Sequence, residues 1–117
     1  MDSILTSVKK LLGIAEEYKQ FDPDIIMFIN SAFSVLTQLG VGSEDGYSII
    51  SDEETWDDYL SANEIEAGQL EMVKTYVYLK TRVAFDPPSS SFVLDAFNKQ
   101  VSELEWRINV AVDPKPE

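Results

Sequence analysis

The chain has 117 residues, with 21 acids against nine Lys or Arg, so its formal net charge is -12. It contains no His and no Cys, which excludes a disulfide framework, a thiolate nucleophile, a Cys- or His-bound metal and any Ser-His-Asp arrangement. At 44% apolar and 11% aromatic it is too hydrophobic for a disordered acidic tail, and a chain of this length buries roughly 65% of its unfolded surface, enough for one domain with its own core.

Residues 3–12 are predicted to form a short helix, with Ile4, Leu5, Val8, Leu11 and Leu12 in one stripe, Ser3 or Asp2 as the cap and Gly13 at the end. Nothing here reads as a signal peptide, because Asp2 precedes an amphipathic stretch carrying Lys9 and Lys10; a cytoplasmic chain is expected. No apolar run approaches the ~20 residues of a membrane span. A polar link over 14–22 leads to Asp22-Pro23, read as a capping carboxylate and a proline at the first helical position. The second helix runs from there to about Leu39, with Ile25, Ile29, Ala32, Phe33 and Leu36 at helical spacing and Gly40 ending it.

Residues 40–51, which include Gly40, Gly42 and Gly46, read as a loop with an extended piece at Tyr47–Ile50. Ser51 or Asp52 is expected to cap a short helical turn through Trp56, Tyr59 and Leu60. A long helix over about 64–85 follows, and Asp86-Pro87-Pro88 stops it. Its apolar residues fall into two adjacent stripes: Leu70, Val73, Val77 and Ala84, then Ile65, Met72, Tyr76, Leu79 and Val83. Together they are wider than the ~100° stripe that one packing contact needs. Lys80 lies inside this arc and requires a carboxylate partner or a route to solvent. The last helix is predicted over 91–110, with Val93, Phe97, Val101, Leu104, Ile108 and Ala111 as its core seam and Phe92, Trp106 and Val110 on another face. The expected fold is all-α: four main helices, a short helical turn and an acidic central loop, with no sheet of consequence. It forms one domain over 1–112, and 113–117 is a flexible tail.

The charge is segregated. Between Lys19 and Lys74 there is no Lys or Arg, while twelve acids fall there; the remaining nine acids are matched by nine bases. The densest part carries Glu44, Asp45, Asp52, Glu53, Glu54, Asp57 and Asp58. The simplest reading is a solvated face that keeps the protein soluble. The sharper one is a surface that faces a partner or must not adhere to a polyanion. Paired carboxylates perform acid–base chemistry where burial or a neighbour separates their pKa values, whereas these are expected to be exposed. Their oxygens suit calcium or magnesium, but the spacing of a calcium loop is missing.

Gly40-Val41-Gly42 follows a helix rather than a strand, so it is not a dinucleotide fingerprint. Trp56, Trp106, Tyr76 and Tyr78 have the chemistry to stack on bases; the acids around Trp56 oppose phosphate, and aromatics at helical spacing read as core. No catalytic, cofactor-binding or metal-binding residue is assigned. The doubled apolar arc and the off-face patch exceed what one small copy readily buries. They point to self-association, with Tyr76, Leu79, Val83, Phe92, Trp106 and Val110 as predicted subunit contacts.

Three blocks together resemble the tailed-phage head–tail connector proteins. They are Ile4-Leu5-Thr6-Ser7-Val8-Lys9-Lys10-Leu11-Leu12-Gly13-Ile14 with its acidic link and Asp22 through Gly42; Val73 through Pro88; and Phe92-Val93-Leu94 with Glu103-Leu104-Glu105-Trp106-Arg107. The resemblance covers nearly the whole chain, and the helix–Asp-Pro-Pro–helix block is its most specific part. Such proteins, also described as head-completion or DNA-packaging proteins, occur in many prophages of Gram-positive bacteria. The resemblance implies a non-enzymatic virion component without a cofactor, assembled in the host cytoplasm into a dodecamer-like homo-oligomeric ring at the head–tail junction. The ring would sit beneath the portal protein, offer a platform to the downstream neck or tail-completion protein, and let DNA pass without specific binding and without a membrane. From a different class, an acidic helical regulator or DNA mimic that inhibits a nucleic-acid-binding protein would also use the carboxylates.

Overall fold

A computed structural model describes residues 3–112; the tail expected at 113–117 lies outside the described residues. Five helices follow in order: α1 (Ile4–Leu12), α2 (Asp22–Gln38), α3 (Trp56–Asn63), α4 (Ala67–Phe85) and α5 (Ser91–Val112). Among the described residues there is no strand, only one isolated antiparallel bridge between Ser3 and Thr55. The fold is all-α, and the short helical turn of the sequence reading is α3.

Helix α1 starts where Ser3 accepts a hydrogen bond from the Thr6 amide and stops at Gly13, whose φ of 81° is the left-handed conformation that lets the chain turn away. Ile4, Leu5 and Val8 are buried, but Leu11 points into solvent. A charged residue joins the buried side instead. Lys9 is 2% exposed, and its ammonium donates to the carbonyls of Glu16 at 3.0 Å and Tyr18 at 2.7 Å while pairing with Asp22 at 2.8 Å. Three donors thus meet three oxygens, the condition under which a buried lysine is tolerated. The irregular link is wrapped around that ammonium.

The start of α2 corrects the sequence reading. Its N-cap is Phe21, without a side-chain cap, and Asp22 is already helical; the Asp22 carboxylate is committed to Lys9. Helix α3 is capped by Thr55 rather than by Ser51 or Asp52: the Asp58 amide donates to Thr55 Oγ1 at 3.1 Å and the Thr55 amide to Asp58 Oδ2 at 2.9 Å, a reciprocal capping box. At its far end Glu64 adopts φ 53°. A left-handed residue cannot continue a helix, so α4 begins at Ala67 and not at 64. Helix α5 continues two residues beyond the expected end, to Val112.

Helix α4 is the centre of the fold. It packs on both α2 and α5, with α1 also against it. That placement explains the double-width arc, because a helix with two helical neighbours needs apolar residues towards each. Leu70, Val73, Tyr76, Val77 and Leu79 are all buried. At the α5 contact Val101 and Ile108 are buried and Phe97 and Leu104 pack against the core, while Tyr76 Oη donates to Glu105 at 2.7 Å. Val93, assigned to this seam from sequence, is 40% exposed. Beneath α3 an aromatic cluster closes the core: Phe33 stacks on Tyr59 at 5.0 Å, and Tyr47 and Trp56 meet that pair edge-on. The Trp56 indole donates to Ser7 Oγ at 3.0 Å, tying α3 to α1.

Candidate functional site

The acidic segment between α2 and α3 has no regular secondary structure, so side chains must satisfy its backbone. Asn30 of α2 does so from below: its Nδ2 donates to the Ile49 carbonyl at 2.9 Å and its Oδ1 accepts from the Ile49 amide at 2.8 Å. Asn63 of α3 accepts from the Ser43 amide at 3.1 Å and donates to the Tyr59 carbonyl at 2.9 Å. The close approach requires Gly42, whose φ is +78° and where a Cβ would collide with the Asn63 side chain. The expected extended piece at Tyr47–Ile50 therefore pairs with a side chain, not with a strand. Ile49 is buried and Ile50 is 85% exposed.

The acids of this segment divide by use. Glu54 accepts from the Ile50 amide at 2.7 Å and from the Ser51 amide and hydroxyl at 3.2 Å. Burial pushes its pKa up, but these hydrogen bonds outweigh that and hold it below the ordinary 4.5. A carboxylate so held is a poorer proton acceptor than a free one, opposite to what a general base needs. Asp58 closes the capping box, and Asp52 lies 3.6 Å from Lys19. Among the described residues the carboxylates of Glu44, Asp45 and Glu53 have no partner; all three, with Asp52, Asp57 and Asp58, are exposed. No group of three or more acids among the described residues is placed to hold a metal ion, and no helix there is long and apolar enough to cross a membrane.

The predicted subunit contacts split in two. Tyr76 is fully buried and Leu79 is 4% exposed, so both belong to the protomer's own core and are removed from the candidate surface. The sequence showed a wide apolar arc, and α2 and α5 inside the same copy cover it. Val83 is half-buried in a cleft of about 310 Å³ between α2, α4 and α5 that also holds Phe28, Lys80 and Asn98. Lys80 has no carboxylate partner among the described residues and reaches solvent through this cleft. Phe92, Trp106 and Val110 are 83%, 67% and 52% exposed. With Lys99 they form a straight stripe on α5, because residues seven apart share a helix face. The core seam Phe97, Val101, Leu104 and Ile108 occupies the other side.

A second exposed apolar face was not identified from sequence. Met27, 55% exposed, and Ile50 rim a shallow groove with Pro23, Ile26 and Ile49 along the outer side of α2. Its sequence signal is faint: Ile26 and Met27 simply lie off the α2 core stripe. The site is thus an ordered acidic segment beside one apolar groove, with an apolar stripe on the helix furthest from it in sequence. A family model described as Phage connector protein matches residues 4–115. No curated protein and no solved structure matches the chain.

Proposed function

The chain belongs to the phage connector protein family, and from that membership we propose that it is a structural component of the virion head–tail junction that multimerises into a ring beneath the portal. The ring forms part of the conduit through which DNA is packaged and ejected and carries the next neck or tail-completion protein. The observation that carries this reading is the extent of the family match, which takes in all five helices and the acidic segment between them. Subunits would be made in the cytoplasm of the host bacterium and end in the virion, and a prophage origin fits the resemblance. The role is mechanical, so neither a catalytic group nor a cofactor has a task in it.

The charge supports a conduit that does not grip its cargo. Each phosphate contact adds to retention, and several together hold DNA strongly. A wall carrying Glu44, Asp45 and Glu53 without counter-charges repels the polyanion and keeps it mobile. The test is the mass of the wild-type protein across a concentration series, followed by negative-stain imaging of the largest species. Rings are expected; a chain that stays monomeric and displaces DNA from a basic protein overturns the connector reading in favour of an acidic regulator. In assembled rings, amide replacement of Glu44, Asp45 and Glu53 is expected to increase DNA retention. Glu54 and Asp58 must be left intact, because they hold the segment itself. Unchanged retention removes the lumen-facing role.

A further inference from the structure

Two exposed apolar faces lie on different helices, α2 and α5, which meet along the cleft that holds Phe28 and Asn98 and where Asn109 Nδ2 donates to the Leu39 carbonyl at 3.3 Å. Both helices also pack on α4, and each turns its buried residues inward: Ile25, Ile29 and Ala32 on α2, Val101 and Ile108 on α5. The Met27 face of α2 and the Phe92–Trp106 face of α5 each sit opposite the buried stripe of their own helix at 100° per residue, and both are exposed. Neither covers the other within one copy.

We propose that they are the two halves of a single head-to-tail interface: the stripe Phe92, Lys99, Trp106 and Val110 of one copy seats in the groove rimmed by Ile26, Met27 and Ile50 of a second copy. The proposal rests on the ring reading and says which surfaces close the ring. Charge selects this pairing over the alternatives. Each copy carries -12 and has no base at all between Lys19 and Lys74, so a groove-to-groove contact would set acidic segment against acidic segment. The α5 stripe instead brings Lys99, which has no ion-pair partner among the described residues of its own copy, towards Asp52 beside Ile50. Of the two acids on the same face, Asp95 and Glu103, the second is already paired with Arg107 at 2.8 Å. An α5-to-α5 contact would leave the groove uncovered. Two different faces make a heterologous contact, and such a contact closes into a ring or runs on as a filament, whereas a self-complementary patch stops at a dimer.

The test uses two full-length variants, Trp106→Glu and Ile50→Glu, both at exposed positions. Circular dichroism should match the wild type. Each variant alone is expected to associate about tenfold more weakly or worse, since a carboxylate replaces an apolar contact. Mixed, they should form a one-to-one heterodimer and nothing larger, because one intact stripe and one intact groove remain. The absence of Cys from the chain permits a second measurement. A short bismaleimide should join Lys99→Cys chains to Ile50→Cys chains, with no like-to-like product. Assembly that persists in both glutamate variants, or crosslinks only between like chains, overturns this surface assignment and leaves the ring reading standing. A wild type that is monomeric at every concentration overturns the ring reading, and the interface with it.

Discussion

The segment 43–55 and helix α5 invert the usual relation between regularity and anchorage. The segment has no helix or strand, yet Asn30, Asn63 and Glu54 hold its backbone at three points and Tyr47 and Ile49 pack under it. Helix α5 has 22 residues of continuous backbone hydrogen bonding. It packs on α4 and reaches the end of α2 through Asn109, which donates to the Leu39 carbonyl at 3.3 Å, but leaves two large aromatics in solvent. Backbone satisfaction in α5 is internal, so its position depends on few side chains. In the segment some backbone bonds are local, such as Gly46 to Ser43 and Ile50 to Glu54, but those made by Asn30 and Asn63 reach about 20 residues and are tertiary contacts. The irregular region is therefore pinned by side chains from two helices, and the regular one leaves an apolar stripe exposed.

The two tryptophans break or confirm this contrast most directly. Trp56 is 2% exposed and Trp106 67% exposed. Replacing Trp56 by Ala empties one flank of the aromatic cluster and frees Ser7, which should destabilise the protein by about 3–5 kcal/mol in chemical denaturation. Trp106→Ala should change monomer stability by about 0.5 kcal/mol or less and weaken self-association instead. Equal stability losses at the two sites would show that α5 is anchored on both faces.

Lys9 extends the contrast to the other irregular stretch. Replacing it with Met keeps the length of the side chain but leaves two carbonyls and the Asp22 carboxylate without their cation, at an expected loss of about 2–4 kcal/mol. If stability is unchanged, the link 14–22 is held by its aromatic contacts, such as Tyr18 with Phe21 and Phe21 with Phe85, and not by the ammonium. A smaller effect is expected at Asn30. Its replacement by Ala removes both bonds to Ile49, should cost about 1–3 kcal/mol, and should speed amide exchange at 47–51 more than anywhere in α5.

The helices were legible in the sequence because apolar spacing and Gly or Pro stops report directly on local structure. Val101 and Ile108 on α5 and Ile25 to Leu36 on α2 stand where periodicity put them. What periodicity cannot report is which neighbour covers a stripe. The arc through Tyr76 and Leu79 reads the same whether α5 of the same copy or another subunit lies on it, and only the chain's path decides. Polar residues were misread for a related reason. Asp22 beside a proline has the local signature of a cap, but a buried cation on α1, 13 positions earlier, claims its carboxylate. The anchors Asn30 and Asn63 bear on backbone about 20 residues distant, with no local pattern to betray them. Among the acids, composition showed the density of charge; the hydrogen bonds separate Glu54 and Asp58, which hold backbone, from Glu44, Asp45 and Glu53, which do not.

That separation has a pH signature at Glu54. Its pKa is lower in the folded chain than the ordinary 4.5, so the native state favours the charged carboxylate. A depressed acid contributes stability that is present above the unfolded pKa and is lost as pH falls through the folded one. Between about pH 7 and pH 5 the contribution of Glu54 should be constant, and below the ordinary carboxylate range it should fade. The wild type and Glu54→Gln are compared by thermal unfolding at each pH. The wild type should be the more stable near neutrality, by about 1 kcal/mol for hydrogen bonds to a partly solvated acceptor, and the two curves should converge in acid. The protection of the Ile50 and Ser51 amides, taken relative to their intrinsic exchange rate at each pH, should fall over the same interval, because protonated Glu54 no longer offers two full acceptors to them. Curves that stay parallel down to about pH 3 would mean that the Glu54 carboxylate contributes nothing to order in the acidic segment. The anchoring would then fall to Asn30 and the aromatic cluster alone.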